Sequence, residues 1–263
     1  MKKKNKKRIL VPVDGSDRAL NTVRYITKIE PLRNMQVTLF HVFNGVPESY
    51  WDLEKDPRST QTVQQVKAWE VEQEKKIRQY MEIAKQFLLK VAFSEKDITV
   101  KIQHRKKGIA RDIIKEAQAG YDAVVSRRRG MTGIRGIVLG SVATKLVEKL
   151  SFLPLILVGK RPPGNKILIA FDGSEDAVKA VGFVGTILGG FDYKVRLVHV
   201  IRGNGQTQPK FNHIFSSKEH TKIVKKEIAA EFDKAKKKLV KSGFKAKDIS
   251  TEIITRALSR ART

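Results

Sequence analysis

An internal repeat constrains the fold of this chain more than any other feature of its sequence. Three blocks recur in the same order: ILVPVDGS at 9–16 with ILIAFDGS at 167–174, LFHV at 39–42 with LVHV at 197–200, and DITVKI at 97–102 with DISTEI at 248–253. The first two pairs share an offset of 158 residues. Three matched blocks in one order indicate two copies of a single structural unit.

The repeat divides the chain into a long first copy and a shorter second copy. We expect a basic tail at 1–7, a first domain at 8–160, a linker rich in Pro and Gly at 161–165, and a second domain at 166–263. The second copy stops shortly after its third strand, so we expect its domain to be incomplete. The chain is then a fragment, or another polypeptide supplies the remainder, or the second domain is unstable because its first strand is an open edge.

Short runs rich in β-branched residues alternate with longer helical patterns in the first copy. Strands are predicted at 9–13, 37–43, 98–102, 123–125 and 155–158, and helices at about 17–29, 62–92, 109–119 and 140–150. Thr62 and Gln65 stand in capping-box spacing at the start of the second helix, whose apolar face includes Ile77 and Tyr80. The alternation predicts an α/β fold, a Rossmann-like parallel sheet with helices on both faces. Ligands of such sheets bind beyond the carboxyl ends of the strands.

Charge and composition restrict the possible functions. The 263 residues include 53 Lys and Arg against 27 Asp and Glu, a formal charge of +26, and no Cys. The missing Cys excludes disulfides and thiolate metal sites, and no apolar run is long enough to span a bilayer. These features predict a cytoplasmic protein without a membrane partner. Nucleic-acid binding through the basic surface is an alternative, although aromatic residues do not interleave with the basic runs.

A glycine-rich loop carries the clearest chemical signal in the chain. SRRRGMTGIRGIVLGS at 126–141 follows a predicted strand and leads into a predicted helix that begins at Ser141. A glycine loop that ends at a helix N-terminus presents free backbone N–H groups and the positive end of the helix dipole. Four arginines add positive charge. The loop therefore predicts an anion site, with phosphate favoured over a basic loop whose glycines only permit turns.

With these motifs the chain resembles the universal stress protein family over nearly all of 8–160 and most of 165–263. The resemblance rests on VPVDGS, on LFHV, on GIARDIIKEAQAGYDAVV at 108–125 and on the loop. It implies two tandem domains with a five-stranded sheet of order 3-2-1-4-5, and a homodimer or a domain–domain pair joined through the last strand of the first domain. It also implies ATP, with or without Mg²⁺, in that domain. The implied ligand residues are Asp14, Gly15, Val42, Arg127, Gly130, Gly140, Ser141 and Val142.

One position departs from the family pattern. The nucleotide-binding pattern G-x2-G-x9-G-(S/T) matches at Gly130, Gly140 and Ser141, but its first glycine falls on Arg127. If that position needs positive φ or close backbone approach to a triphosphate, a side chain there costs roughly 1–3 kcal/mol or blocks the approach. An arginine can instead pair with the phosphates. A protein-interaction module of the same fold that does not bind nucleotide is therefore a second hypothesis.

The remaining polar residues near the strand ends have structural explanations. Asp14 and Asp172 each precede Gly-Ser, which predicts an Asx turn or helix cap alongside any ligand role. His41 and His199 each lie 27 residues after those aspartates, and we expect packed, hydrogen-bonded histidines. No general base is evident from the sequence, so we expect binding, with at most slow ATP hydrolysis.

Overall fold

Two units make up the chain. The computed structural model describes residues 6–46, 59–91, 93–128, 140–159, 164–203 and 218–257. The chain divides into Met1–Pro163 and Gly164–Thr263. Most of the predicted tail and linker lie outside the described residues.

The first unit contains one parallel sheet of five strands. They are β1 (Arg8–Pro12), β2 (Gln36–Phe43), β3 (Ile98–His104), β4 (Ala123–Arg127) and β5 (Leu155–Val158). Their spatial order is β3-β2-β1-β4-β5, and each neighbouring pair is parallel. The structure therefore confirms the predicted fold class and strand order. Because the order reverses beside β1, the carboxyl ends of β1 and β4 border the crevice in which doubly wound folds bind ligands.

Helices cover both faces of this sheet because its central strand is apolar on both sides. The helices are α1 (Asp17–Thr27), α2 (Thr60–Leu89), α3 (Ile109–Ala117) and α4 (Ser141–Lys149). Ile9, Leu10 and Val11 are all fully buried in β1. Helix α1 packs with α2, and α3 packs with α4 over a core that includes Leu10. None of the helices in the described ranges has an apolar stretch that could cross a membrane.

The predicted capping box at the start of α2 is wrong. The helix begins at Thr60 after Ser59, so Thr62 lies inside its first turn. Three hydroxyl residues occur at 59, 60 and 62, and spacing alone does not select among them. At α1, by contrast, the Ser16 side chain accepts a hydrogen bond from the Ala19 N–H and caps the helix.

The second unit has a three-stranded sheet and two helices in the described residues. They are β6 (Lys166–Ala170), α5 (Glu175–Leu188), β7 (Lys194–Gly203), α6 (Lys218–Lys241) and β8 (Ile249–Ala257), with parallel strands in the order β6-β7-β8. The repeat offset maps Leu168 in β6 onto Leu10 in β1. Leu10 is fully buried, whereas 67% of Leu168 is exposed. The described second unit thus has a packed core on one face of its sheet and an uncovered apolar residue on the other.

Close contact between α5 and the end of α6 depends on glycine. A Cβ atom at Gly189 would overlap the backbone oxygen of Ser242. The contact therefore leaves no space for a methyl group, and the neighbouring atom is backbone that cannot rotate away. The two helices can approach this closely only because residue 189 has no side chain.

We predict that Gly189→Ala destabilises the second unit. Forcing one carbon into this contact should lower the free energy of unfolding by about 1–3 kcal/mol. Urea unfolding followed by circular dichroism measures the change. Gly164→Ala is the matched control, because a Cβ at Gly164 meets nothing within 4 Å. Equal unfolding midpoints for the two variants would contradict the prediction.

Candidate functional site

Asp14 forms a tight turn directly after β1. Its Oδ1 atom accepts hydrogen bonds from the Ser16 N–H at 3.0 Å and from the Ser16 hydroxyl at 2.6 Å. The predicted Asx turn is confirmed, and the same serine caps α1. The residue is exposed, and both described hydrogen bonds use one carboxylate oxygen. Holding the turn therefore does not occupy the whole carboxylate.

Helix α2 packs on this turn and fixes its position. Gly15 has φ +82°, and a Cβ there would lie 2.8 Å from Ile77 Cδ1. The Tyr80 hydroxyl donates a hydrogen bond of 2.8 Å to the Ser16 carbonyl. Burial raises the pKa of Tyr80, and the negative charges of Asp14 and Asp17 raise it further, so the hydroxyl stays a donor. The sequence assigned Ile77 and Tyr80 to an apolar helix face, but no pattern indicated that this face meets Asp14.

Two hydrogen bonds join the backbone of Val13 to the neighbouring strand β2. Its N–H donates to the Phe40 carbonyl at 2.9 Å, and its carbonyl lies 2.8 Å from His41 Nδ1. Because a carbonyl only accepts, His41 Nδ1 must carry the proton. His41 is 5% exposed, and burial lowers its pKa against the opposing effects of the Val13 hydrogen bond and the Asp14 charge. His41 is thus the packed, hydrogen-bonded histidine that the sequence predicted.

The second unit repeats this arrangement. The Phe171 N–H donates to the Val198 carbonyl at 2.8 Å, and His199 Nδ1 lies 2.9 Å from the Phe171 carbonyl. Asp172 Oδ1 accepts from the Ser174 N–H at 3.0 Å, and Gly173 has φ +81°. The turn is therefore a property of the repeated unit, and its presence alone does not define a ligand site.

The start of α4 has no side-chain cap within the part of the chain that the structure describes. Gly140 precedes the helix in extended conformation and forms no side-chain cap, and Ser141 is the first helical residue. The first N–H groups of a helix have no partner within the helix. Ser141 is exposed, whereas Val142 packs against the apolar core around α3 and α4. The backbone N–H groups of Ser141 and Val142 lie in the first turn of α4, and Gly130 lies outside the described residues.

Arg127 is the last residue of β4 and has an extended backbone. It pairs with Val158 of β5, so the residue does not adopt the left-handed conformation that would penalise a side chain at this position. The residue is among those that line a cavity together with Thr22 and Tyr25 of α1. Among the residues that the structure describes, its Nη1 atom is buried and has no hydrogen-bond partner. The backbone conformation at position 127 is therefore one that an arginine adopts without strain.

The topology brings most of the predicted site to one edge of the sheet. Asp14 follows β1, Val42 lies near the end of β2, and Arg127 ends β4. Val42 as a whole residue is 6% exposed. Helix α4 enters from the same edge, because it connects the carboxyl end of β4 to the start of β5. The described parts of the chain contain no group of three or more His, Asp or Glu suited to a metal ion.

The fold is that of a doubly wound α/β protein, with Asp14, Arg127 and the start of α4 at the sheet edge beside the point where the strand order reverses. The family model described as Usp, the universal stress protein family, matches residues 6–158. The chain therefore belongs to the universal stress protein family.

The chain is similar to several known universal stress proteins in sequence or in fold. A universal stress protein of Mycolicibacterium smegmatis is 26% identical over 170 residues, which are 63% of this chain and 54% of that protein. The chain thus spans about half the length of that relative. A universal stress protein from Archaeoglobus fulgidus shares the fold, with 14% identity, coverage of 96% of this chain and 79% of that chain, and a TM-score of 0.52. Another from the same organism, solved in complex with dAMP, is 18% identical and covers 59% of this chain and 98% of that chain, with a TM-score of 0.38.

The buried His41 predicts a loss of stability in acid. Its pKa is lowered in the folded state, so below about pH 6.5 the unfolded chain binds a proton that the folded chain does not. Stability therefore falls as the pH drops from 7 to 5, by at most about 1.4 kcal/mol per pH unit for this one proton. In His41→Asn the amide can still donate to Val13 but does not titrate, so the slope of unfolding free energy against pH should be smaller. His104→Asn, at an exposed position, is the control and should keep the wild-type slope.

Proposed function

We propose that this protein binds an adenine nucleotide, ATP, at the carboxyl edge of the first sheet and acts as a regulatory or protective protein in the stress response. The family assignment supports the role. The observation that carries the nucleotide site is the N-terminus of α4, which has no side-chain cap among the described residues, on the edge where the Asp14 turn lies. The N-terminus of α4 suits an anionic phosphate chain, and the Asp14 carboxylate suits a ribose hydroxyl.

The proposed binding mode assigns each part of the nucleotide to one feature of the sheet edge. The N–H groups of Ser141 and Val142 would donate to phosphate oxygens at the positive end of the helix dipole. The carboxylate of Asp14 would accept from the ribose, and the backbone near Val42 would meet the adenine. Gly15 keeps the turn compact, because its left-handed backbone places no side chain against Ile77. Mg²⁺ would accompany the phosphates.

Binding rather than turnover is the proposed chemistry. His41 uses its protonated nitrogen to hold Val13, and Asp14 uses one oxygen to hold the Ser16 turn. The proposal assigns Asp14 to the turn and the ribose and His41 to Val13, with no residue as a general base, so any hydrolysis would be slow. We also propose a cytoplasmic location and a homodimer that pairs through β5, which is an edge strand of the five-stranded sheet.

The primary test is the nucleotide content of the full-length protein. Mass spectrometry of the supernatant from denatured protein should detect an adenine nucleotide, and calorimetric titration with Mg-ATP should give heat with one site per chain. No nucleotide and no heat would overturn the proposal. If Arg127→Gly then gained affinity for ATP, the wild-type loop would be closed to nucleotide, as the interaction-module hypothesis requires.

The two copies of the Asp-Gly-Ser turn provide a matched pair of variants. Asp14→Asn keeps an oxygen for the Asx turn but removes the charge, and should weaken ATP binding about tenfold, as expected for loss of a charged acceptor. Asp172→Asn makes the same change in the turn of the second unit and should leave the dissociation constant unchanged. Calorimetry measures both. Equal effects of the two substitutions would show that Asp14 does not contact the nucleotide.

Helix α4 allows one backbone donor to be removed without breaking the helix. Ser141→Pro places proline at the first helical position, where it is tolerated, and Gly140 before it is already extended with ψ 158°. Loss of this N–H should weaken ATP binding about tenfold, while the melting temperature stays near that of wild type. Ser141→Ala keeps the N–H and is the control. Equal ATP affinity in the proline variant would show that this donor is not used.

A further inference from the structure

One face of the second sheet carries large apolar side chains that are exposed. Helices α5 and α6 pack on the other face, where Ile169 and Leu197 belong to the core of the unit. Side chains alternate along a strand, so Leu168 of β6 and Val200 of β7 project from the opposite face. Leu168 is 67% exposed and Val200 is 46% exposed. Exposed apolar residues that lie together on one surface are typical of a protein interface.

The apolar residues of this face are contiguous. The strand register places Ala170 beside Val198 and Val200 beside Ile254, and Leu168 precedes Ala170 by two residues in β6. Ala170 is exposed, whereas Val198 in the central strand is 7% exposed. We call these five residues the open face. It extends across all three strands of the sheet.

The first unit shows how the equivalent surface is buried. The repeat offset of 158 residues maps Leu168 onto Leu10 and Val200 onto Val42. Leu10 is fully buried and Val42 is 6% exposed. Both belong to a core to which α3 and α4 contribute. No helix in the described part of the second unit takes this position, so the open face has the side chains of an internal surface without its cover.

The charges beside the open face balance, although the chain as a whole is strongly basic. Arg196 and Glu252 project from the same side of the sheet, and Arg196 Nη1 lies 3.1 Å from Glu252 Oε2. Lys166 lies at the amino end of β6, outside the open face. Two copies of a chain with a formal charge of +26 repel each other over most of their surface. A face without net charge is therefore where two copies can meet at the lowest electrostatic cost.

We propose that the open face is an interface with a second copy of this chain, in which the two second-unit sheets pack face to face about a twofold axis. Such a contact needs only one surface that is complementary to itself. Small and β-branched side chains on a sheet suit this packing, in which the two sheets lie about 10 Å apart. Arg196 of each copy would lie near Glu252 of the other. An acidic partner, by contrast, finds no net positive charge on this face.

The first test is sedimentation equilibrium of the full-length chain over a range of protein concentrations. The protein should form a dimer whose population increases with concentration. Leu168→Lys should raise the dissociation constant of this dimer about tenfold, because the contact would bury a charge without a partner. Val71→Lys is the matched control, since it adds the same charge at a residue of α2 that is 68% exposed, and it should leave the dissociation constant unchanged.

Two further measurements show that Leu168→Lys acts on the interface and not on the fold. Circular dichroism and urea unfolding of the variant should match those of the wild type, because Leu168 is exposed in the single chain. Salt should strengthen the wild-type dimer, because it screens the repulsion between the two copies. A dimer that salt dissociates would be held by charge pairs and would overturn the proposal.

Cross-linking tests where the two copies meet. The chain has no Cys, so Val200→Cys introduces a single thiol. A short bismaleimide reagent should join two copies of this variant, because facing sheets lie about 10 Å apart. The same reagent should not join copies of Val71→Cys. Equal cross-linking of the two variants would show random collision and would overturn the proposal.

The oligomeric state separates this interface from the proposed pairing through β5. A wild-type chain that stays monomeric at all concentrations would overturn the open-face contact. An oligomer that resists Leu168→Lys uses another surface and would overturn it as well. If β5 also pairs, Leu168→Lys should reduce a tetramer to a dimer. All of these measurements are made without nucleotide, so their outcome is independent of the proposed ATP site.

Discussion

The backbone of Val13 is the point on which the candidate site depends. Strand β2 holds it through a hydrogen bond from its N–H to Phe40 and through the protonated nitrogen of His41 at its carbonyl. These hydrogen bonds fix Val13, and the chain leaves the sheet directly after it. Gly15, with its left-handed backbone, then turns the chain into α1. Asp14 therefore lies at the sheet edge as a consequence of backbone constraints, and α2 secures the turn through Tyr80.

The same two hydrogen bonds hold the backbone of Phe171 in the second unit. The two units differ in the elements that surround the Asp-Gly-Ser turn. In the first unit β4 lies beside β1, and α4 begins at the same edge. In the described second unit β6 is an edge strand, and its Leu168 is largely exposed. An Asp-Gly-Ser turn thus becomes a candidate ligand site only where a neighbouring strand and helix supply the opposite side of the crevice.

The basic residues that give the chain its charge of +26 lie in different environments. Most basic residues lie on exposed surface, where solvent and salt screen them. Arg127 differs because its Nη1 atom is buried and, among the residues that the structure describes, has no hydrogen-bond partner. A charge count cannot separate these cases, since the free energy of a charge depends on its burial and on its partners.

Local pattern and repetition in the sequence determined the fold class, the two copies, the five strands of the first unit, the Asx turns and the packed His41. These features depend on side-chain periodicity and on contacts between residues near in sequence or equivalent in the two copies. The start of α2 was misplaced because several adjacent hydroxyl residues can each cap a helix. Only the tertiary structure decided the contact of Tyr80 with the Asp14 turn, the extended backbone of Arg127 and the cavity around Thr22. Each of these joins elements far apart in the sequence, and the direction of a side chain between them is set by packing, which no local pattern encodes.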